Sequence, residues 1–480
     1  MGYNRSLAPL EIEPSGKADI RPTGTHAVTL LTIYVILLMY IPSALVLAPL
    51  GGAGSPATML AAALLAWYVL LWLHPTSGLD RGSQPVRLAA LTFTCATLAA
   101  YVSASRHELP ALQQHGADRG LVLALGWLGV LVLAADGITR WDRLEALLHR
   151  IVIGGTAMAA IGITQYITGL NVDAFIAIPG FTTKVPFVDL LIRDGINRPS
   201  ATAAHPLEFA AVLVVCLPIA LHQARFAAAG TGLRRWLQVA LIGGALPITL
   251  SRSALLGIVV VSLTLLPTWP KRDRRIAYVF LAGGLAGLWL ALPRMMSLFY
   301  QLFTHIGSES SSQSRILAYS ASVPFIAHHP WFGQGFQTFL PLNYFFVDDQ
   351  YVTTLIETGF AGLLALLAML ATGWFAVRQA RRRLADPKLR DLLQSLAAAV
   401  AAAAAAFATF DAFSFAIAAG LTFLVLGCAG AAWRLALAEG ALRAPVDGSP
   451  SRGRTGRQRE RLSPREPRRV AGRLASGWNI

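Results

Sequence analysis

Long apolar stretches, separated by short polar loops, follow one another along most of the chain. Stretches of about 20 apolar residues are long enough to cross the hydrocarbon core of a bilayer as α-helices. The pattern therefore predicts an all-α polytopic membrane protein with about 12 transmembrane helices. The predicted segments are 27–50, 56–73, 86–102, 119–135, 146–168, 206–222, 236–250, 253–267, 276–292, 351–376, 392–410 and 413–433.

The polar regions between these segments give the domain organisation. The longest is a large outer loop between predicted helices 9 and 10, and the C-terminal tail has the Arg-, Gly-, Ser- and Pro-rich composition typical of disorder. In order, we expect an N-terminal tail (1–26), helices 1–9 (27–292) with an outer loop (169–205), the large outer loop (293–350), helices 10–12 (351–434) and a basic tail (435–480).

Composition and charge agree with this class and give the orientation of the chain. Hydrophobic residues make up 55% of the chain and charged residues 14%, whereas soluble domains are about a quarter charged. Basic residues cluster in alternate loops, which the positive-inside rule assigns to the cytoplasm. Both termini are then cytoplasmic. The net charge of +15 is mostly this topology signal, so we expect the lipid bilayer as a partner and no nucleic acid.

Arg252 interrupts an apolar run, within the stretch LPITLSRSALLGI. Basic loops flank the run 236–267 on both sides, so the run must leave the cytoplasm and return. Its 32 residues make two helices of about 24 Å each at 1.5 Å per residue. The turn then falls at Ser251-Arg252-Ser253, at the outer end of a helical hairpin. Snorkelling to lipid headgroups is one explanation for Arg252, and binding of a phosphate-like anion is the other.

The large outer loop has internal structure of its own. Its serines and the spacing of its apolar residues predict an amphipathic helix over 314–327, with Arg315 in the first turn, where helix N–H groups also favour an anion. The next stretch, HPWFGQGFQTF, contains Gly333 and Gly335, which allow a tight turn. The two histidines that end the helix are expected to be interfacial, and no metal site is predicted because no third ligand has suitable spacing.

Three carboxylates follow in FFVDDQYVTTLIETGF. Asp348 and Asp349 lie just before the next membrane helix, and Glu357 lies about two turns inside it. The aspartates suit either capping of this helix or the role of a general base beside bound arginines. The residues alone leave both explanations open.

The outer end of the sixth segment carries another such group, in GINRPSATAAHPLEFA. Arg198 lies there beside two possible acid–base groups, His205 and Glu208. Several arginines therefore converge on one outer face, next to carboxylates and partly within the lipid. This pattern suits a diphosphate carried on a lipid. The chain has no nucleotide-binding motif, and no cofactor is expected.

These motifs, in this order, resemble the O-antigen ligase and O-antigen polymerase family of bacterial envelope proteins. The resemblance rests on NRPSATAAHPLEFA, TLSRSALLGI, Arg315 ahead of HPWFGQGFQTF, and DDQYVTTLIETGFAGLL, and it covers about residues 150–375. It implies the fold of lipid-dependent membrane glycosyltransferases. It also implies a metal-independent, inverting glycosyl transfer from undecaprenyl diphosphate at the periplasmic face of the inner membrane.

The resemblance also implies roles for individual residues. Arg252 and Arg315 would bind the diphosphate and stabilise it as a leaving group, and Arg198 would assist. His205, Glu208, Glu357, Gly333 and Gly335 are possible supporting residues. Asp349, or Asp348, would be the base that activates the acceptor hydroxyl, although an aspartate needs a raised pKa to serve well at neutral pH.

One departure from the family bears on the exact activity. The family's ligases usually carry a histidine where this chain has Asp348-Asp349-Gln350. This favours a polymerase of O-antigen or exopolysaccharide, working with a chain-length regulator, over a ligase that uses lipid A-core as acceptor. Both activities stay open.

Two other classes of function compete with these. A transporter or flippase suits the helix number, but it should keep its charges near the midplane and often has an internal repeat. The repeat is not evident here and the charges gather at one face. An inactive structural partner of a synthesis complex is the remaining possibility.

Overall fold

The computed structural model describes residues 23–74, 82–106, 108–171, 176, 178–183, 191–193, 195–291, 293, 297 and 310–443. The predicted tails therefore lie largely outside the described residues, as do parts of both outer loops. The helices in the described part are α1 (Thr23–Tyr40), α2 (Pro56–Leu73), α3 (Pro85–Ala104), α4 (Ala111–Gly137), α5 (Trp141–Thr168), α6 (Pro206–Arg225), α7 (Gly232–Ile248), α8 (Arg252–Leu265), α9 (Lys271–Ala291), α10 (Ser310–His328), α11 (Gln350–Arg381), α12 (Pro387–Phe407) and α13 (Ala416–Arg443).

The fold class is an all-α polytopic membrane protein. Within the described ranges, 8 helices are long and apolar enough to cross a membrane: α2–α6 and α11–α13. Two shorter apolar helices cover His26–Tyr40 and Arg252–Thr268. The predicted number of 12 spans is therefore not confirmed, because α7 and α9 are neither among the 8 long apolar helices nor among the shorter apolar ones.

The first predicted segment, 27–50, was too long. Helix α1 ends at Tyr40, and the chain continues through a strand pair and a short 3₁₀ helix at Ala48–Ala53. The reason is Pro42, because a proline disfavours helical backbone in the residue before it and removes an N–H donor. The apolar residues that follow are buried without being helical, as Leu45 and Val46 show.

Helices α8 and α12 run antiparallel, which defines two ends of the bundle. Gln394, near the start of α12, donates to the Thr264 carbonyl near the end of α8 (2.7 Å). The start of α8 therefore lies beside the end of α12. This end, where α6, α8, α11 and α13 begin and α5, α7 and α12 end, is called the mouth end. The opposite end, where α7, α9 and α12 begin, is called the basic end.

Two contacts fix the mouth end. The carboxylate of Glu208, at the start of α6, accepts from the backbone N–H groups of Ile417 (2.7 Å) and Ala418 (3.3 Å), at the start of α13. The side-chain oxygen of Gln350, at the start of α11, accepts from the N–H of Phe413 (2.6 Å). Both side chains are fully buried. Each accepts from backbone N–H groups that have no hydrogen-bond acceptor within a helix.

The outer loops add short strands to this frame. β1 (Leu45–Val46) pairs antiparallel with β2 (Thr182–Thr183), and β3 (Leu191–Arg193) pairs antiparallel with β4 (Ile196–Arg198). The second hairpin delivers Arg198 to the start of α6. Ser43 and Thr202 add a backbone hydrogen bond (2.9 Å) that ties the end of α1 to the same region.

Helix α10 occupies the large outer loop and begins four residues before the predicted start at 314. Its inward face carries Ala318 and Ser322, which are buried, whereas Ile316, Leu317 and Val323 are mostly exposed. An apolar face turned away from the protein suits contact with lipid. Because the helix starts at Ser310, Arg315 lies in its second turn and not in the first, so the expected help from the helix N-terminus does not apply.

Candidate functional site

The turn between α7 and α8 holds two of the three arginines. Ser251 caps α8 by accepting from the N–H of Ser253 (3.2 Å), and Arg252 is the first residue of that helix. Leu250, just before the cap, has a left-handed backbone (φ 47°), which makes the turn tight. Arg198 donates through Nε to the carbonyl of Thr249 (3.1 Å). Arg198 and Arg252 are therefore both at this turn, and both are half-buried.

Arg315 reaches the mouth end from the other side. Its Nη2 donates to the carbonyl of Thr409 (2.8 Å), just beyond the end of α12. Its Nε is 3.8 Å from Oδ2 of Asp348, with the two side chains 30% and 43% exposed. The Nε atom is buried and has no hydrogen-bond partner among the described residues. Arg315 is thus anchored by Thr409 through Nη2, and its Nε side faces Asp348.

All three arginines lie at one end of the bundle. Thr409, which holds Arg315, follows α12 directly. Because α8 runs antiparallel to α12, its first residue, Arg252, is at the same level. Arg198 is tied to the turn that precedes α8. The arrangement concentrates positive charge at the edge of an apolar bundle, where a guanidinium binds phosphate oxygens by charge-assisted hydrogen bonds.

The two aspartates have different environments. Asp349 is buried and caps α11, because its Oδ1 accepts from the N–H groups of Tyr351 (2.8 Å) and Val352 (3.3 Å). Its Oδ2 accepts from the hydroxyl of Tyr319 (3.0 Å). These three contacts engage both oxygens of the Asp349 carboxylate. Asp348 is more exposed and faces Arg315, so it is the carboxylate that an incoming hydroxyl can reach.

His205 and Glu208 serve the start of α6. His205 is the N-cap of α6, and its Nδ1 accepts from the N–H of Leu207 (3.1 Å). Burial, and then the charge of Arg198, lower the pKa of His205 to about 4, so the ring is neutral at pH 7. Glu208 is fully buried and joins α6 to α13. The structure therefore places both residues at the mouth end but gives each a capping contact.

The large outer loop packs on α11 through contacts that involve Gly333, Gly335 and Glu357. That helix breaks at Gly359 (φ 63°), and a Cβ there would lie 2.4 Å from the backbone of Trp331. Gly335 donates its N–H to the carbonyl of Glu357 (2.9 Å), and the Glu357 carboxylate accepts from the N–H of Phe339 (3.3 Å). The N–H group of Gly333 likewise donates to the carbonyl of His329 (3.0 Å), so both glycines hold the loop.

The sequence reasoning missed two charged groups at this end, Asp411 and Arg119. Asp411 lies in the turn between α12 and α13 and interacts with the hydroxyl of Ser414. Its Oδ1 is buried and lacks a hydrogen-bond partner among the described residues. Arg119 donates to the side chain of Gln337 (2.7 Å) and acts electrostatically on both Asp411 and Glu357. The only local signal for Asp411 was a carboxylate at the end of a membrane segment.

Burial and the nearby charge of Asp348 raise the pKa of Asp411 to about 6. Because an unfolded aspartate has a pKa of about 3.9, folding is increasingly penalised as pH rises from about 4 to about 6, and the penalty is constant above that. We therefore expect Asp411→Asn to raise the melting temperature at pH 7.5 more than at pH 4.5. Asp142→Asn, in an exposed ion pair, is the control. An equal change at both pH values for Asp411→Asn contradicts this account.

Within the described ranges, no group of three or more His, Cys, Asp or Glu side chains is placed to hold a metal ion. The expectation of a metal-independent reaction rests on the resemblance and stays a prediction.

Comparison with known proteins agrees with the resemblance seen in the motifs. Residues 237–367 match the family model described as O-antigen ligase. This range contains Arg252, Arg315, Asp348 and Asp349, whereas Arg198 and Asp411 lie outside it. No curated protein matches the chain. The match supports a function of the general O-antigen ligase or polymerase type.

Proposed function

We propose that the protein transfers a glycan from undecaprenyl diphosphate to a sugar hydroxyl, because residues 237–367 match the family model described as O-antigen ligase. The reaction takes place at the mouth end, which faces the periplasm, and both termini are cytoplasmic. The observation that carries the proposal is the placement of Arg198, Arg252 and Arg315 at one end of the bundle, with Asp348 beside Arg315.

The arginines are proposed to form the donor site. A diphosphate carries several negative charges, and it accumulates more when the glycosidic bond to it breaks. Guanidinium groups that are already fixed by protein contacts stabilise this charge without reorganising. Thr249 and Thr409 fix Arg198 and Arg315 through their carbonyl oxygens. The lipid chain of the donor would extend from this site along the apolar surface of the bundle.

Asp348 is the favoured acceptor of the proton. The attacking hydroxyl gives its proton to a carboxylate as its oxygen bonds to the anomeric carbon, and the diphosphate leaves from the opposite side. One such displacement inverts the anomeric configuration. Asp349 already accepts three hydrogen bonds, whereas the side chain of Asp348 is 43% exposed and lies 3.8 Å from Nε of Arg315. The structure thus favours Asp348 over Asp349, the reverse of the order that the motif suggested.

Polymerisation and ligation use the same donor chemistry and differ in the acceptor. The absence of the usual ligase histidine, where this chain has Asp348-Asp349-Gln350, favours a polymerase of O-antigen or exopolysaccharide. Such a polymerase would work with a chain-length regulator. The description of the matching family as O-antigen ligase favours ligation to lipid A-core or another acceptor. We propose polymerisation as the first reading and ligation as the second.

Deletion of the gene, with complementation by the wild-type gene, tests the function. Lipid-linked, surface and secreted polysaccharides are separated on gels. Loss of long chains, with single repeat units still attached to the acceptor, is expected for a polymerase. Accumulation of long chains on the lipid carrier identifies a ligase. Unchanged polysaccharide in all three fractions contradicts the enzymatic proposal and returns attention to transport or to a structural role.

A further inference from the structure

A second group of positive charges lies at the basic end, where helices α1, α5, α6 and α7 meet. Arg235, in the first turn of α7, packs its Nη1 against the ring of His149 on α5 and donates to the side chain of Gln223 on α6 (3.1 Å). Arg150 donates through Nη1 to the hydroxyl of Thr32 on α1 (2.6 Å). The charges of Arg150, Arg234 and Arg235 all act on the His149 ring. These four residues are called the basic cluster.

The basic cluster lacks an acidic partner within the described part of the chain. Arg225, on the same end, is by contrast paired with both Asp273 and Asp391. Every described carboxylate near this end is occupied elsewhere: Asp136 by Arg87, Asp142 by Arg140, Glu145 by Lys388, Asp273 and Asp391 by Arg225, Asp386 by the N–H of Lys388, and Glu439 by Trp141. Among the described residues, Arg150 and Arg235 thus donate only to neutral acceptors, and the charge of Arg234 acts on the same histidine.

Like charges at close range repel one another, and they repel most strongly near a low-dielectric bundle. The chain nevertheless fixes Arg150 and Arg235 by hydrogen bonds to Thr32 and Gln223, so their positions are specific. An anion that enters the basic cluster would relieve the repulsion and accept several charge-assisted hydrogen bonds. A phosphate group matches the fork of a guanidinium.

The surroundings of the basic cluster indicate where the phosphate comes from. Leu233, Trp236 and Leu237, on the same first turns of α7, are 87%, 47% and 56% exposed. Exposed apolar residues with a tryptophan beside arginines are typical of the boundary between headgroups and hydrocarbon. Acyl chains can lie along these residues while the headgroup lies among the arginines.

We propose that the basic cluster binds the phosphate of an anionic phospholipid headgroup in the leaflet at the basic end. This site is separate from the donor site. Arg235 is near the start of α7, whereas Thr249, which contacts Arg198 of the donor site, follows the end of α7. Because a helix of 17 residues is about 25 Å long, the two sites lie at opposite ends of α7. The bound lipid would join α1, α5 and α7 and stabilise the packing of α7, the helix that leads to Arg252.

Thermal unfolding of the purified full-length protein tests this site. Samples in detergent receive either phosphatidylglycerol or phosphatidylcholine, and bound lipid is counted by native mass spectrometry. Phosphatidylglycerol is expected to raise the melting temperature of the wild type, and phosphatidylcholine is not. The double variant Arg150→Gln/Arg235→Gln should bind phosphatidylglycerol more than tenfold more weakly, since each arginine near an anionic surface contributes about fivefold.

Arg140→Gln is the matched control. It also removes a positive charge at the basic end, but from an exposed ion pair with Asp142, and it should keep the wild-type response. Loss of the response in Arg140→Gln as well indicates only a general charge effect and overturns the proposal. Equal stabilisation by millimolar inorganic phosphate overturns the lipid source of the phosphate. If the double variant is too unstable to purify, Arg234→Gln, on an exposed residue, provides the same comparison.

Discussion

Replacement of Arg315 by alanine is expected to abolish polysaccharide product while the protein still inserts into the membrane. The guanidinium is anchored to Thr409 and faces Asp348, so it can stabilise the departing diphosphate without moving. Removal of one fixed donor to a developing negative charge typically costs about 10²–10³ in rate. Arg252→Ala should have an effect of the same order. The measurement is turnover of lipid-linked glycan in isolated membranes, together with the polysaccharide gel.

Arg315→Lys and Arg378→Ala are the controls for this prediction. Lysine keeps the charge but not the two-pronged fork, so partial activity is expected. Arg378 stacks on Trp374 near the end of α11, away from the mouth, and its loss should leave turnover unchanged. A size-exclusion profile checks folding of each variant. If folded Arg315→Ala keeps wild-type turnover, the role of Arg315 is limited to the contact with Thr409, and the donor site must be placed elsewhere.

The main features of the fold could be predicted because they depend on local patterns. The apolar run 236–267 had to turn at Arg252, given the basic loops on both sides, and the structure has a helix end at Ile248 and a new helix at Arg252. The break in α11 at Gly359 could not be predicted, because residues 351–376 have the overall length and hydrophobicity of a single membrane segment. It arises from the close approach of Trp331, a contact between distant segments.

The candidate site shows the same division between local and long-range information. A carboxylate just before a helix suggested that Asp349 is either a cap or a base, and a capping contact is local. The partner of its other carboxylate oxygen, Tyr319, lies 30 residues away, and the contact of Arg315 with Thr409 joins residues 94 apart. Sequence patterns identified several of the charged residues at the mouth end, but not Asp411. They could not show which partners occupy them.

Asp348→Asn is expected to reduce turnover strongly with little change in stability, whereas Asp349→Ala should do the reverse. A positioned general base typically contributes about 10²–10⁴ in rate, and Asp348 is the carboxylate that faces Arg315 with an exposed edge. Loss of a helix cap costs about 0.5–2 kcal/mol, and Asp349 caps α11 through two N–H groups. Turnover and melting temperature are measured on the same purified variants.

Asp349→Asn separates the two roles of that residue. Asparagine caps a helix about as well as aspartate, but its amide cannot accept the proton of a hydroxyl. If the cap is the whole role of Asp349, Asp349→Asn keeps near-wild-type turnover and melting temperature, while Asp348→Asn remains inactive. If Asp349→Asn is folded and inactive and Asp348→Asn is active, the base is Asp349. The hydroxyl of Tyr319, 3.0 Å from its Oδ2, would then be the next group to replace, by Tyr319→Phe.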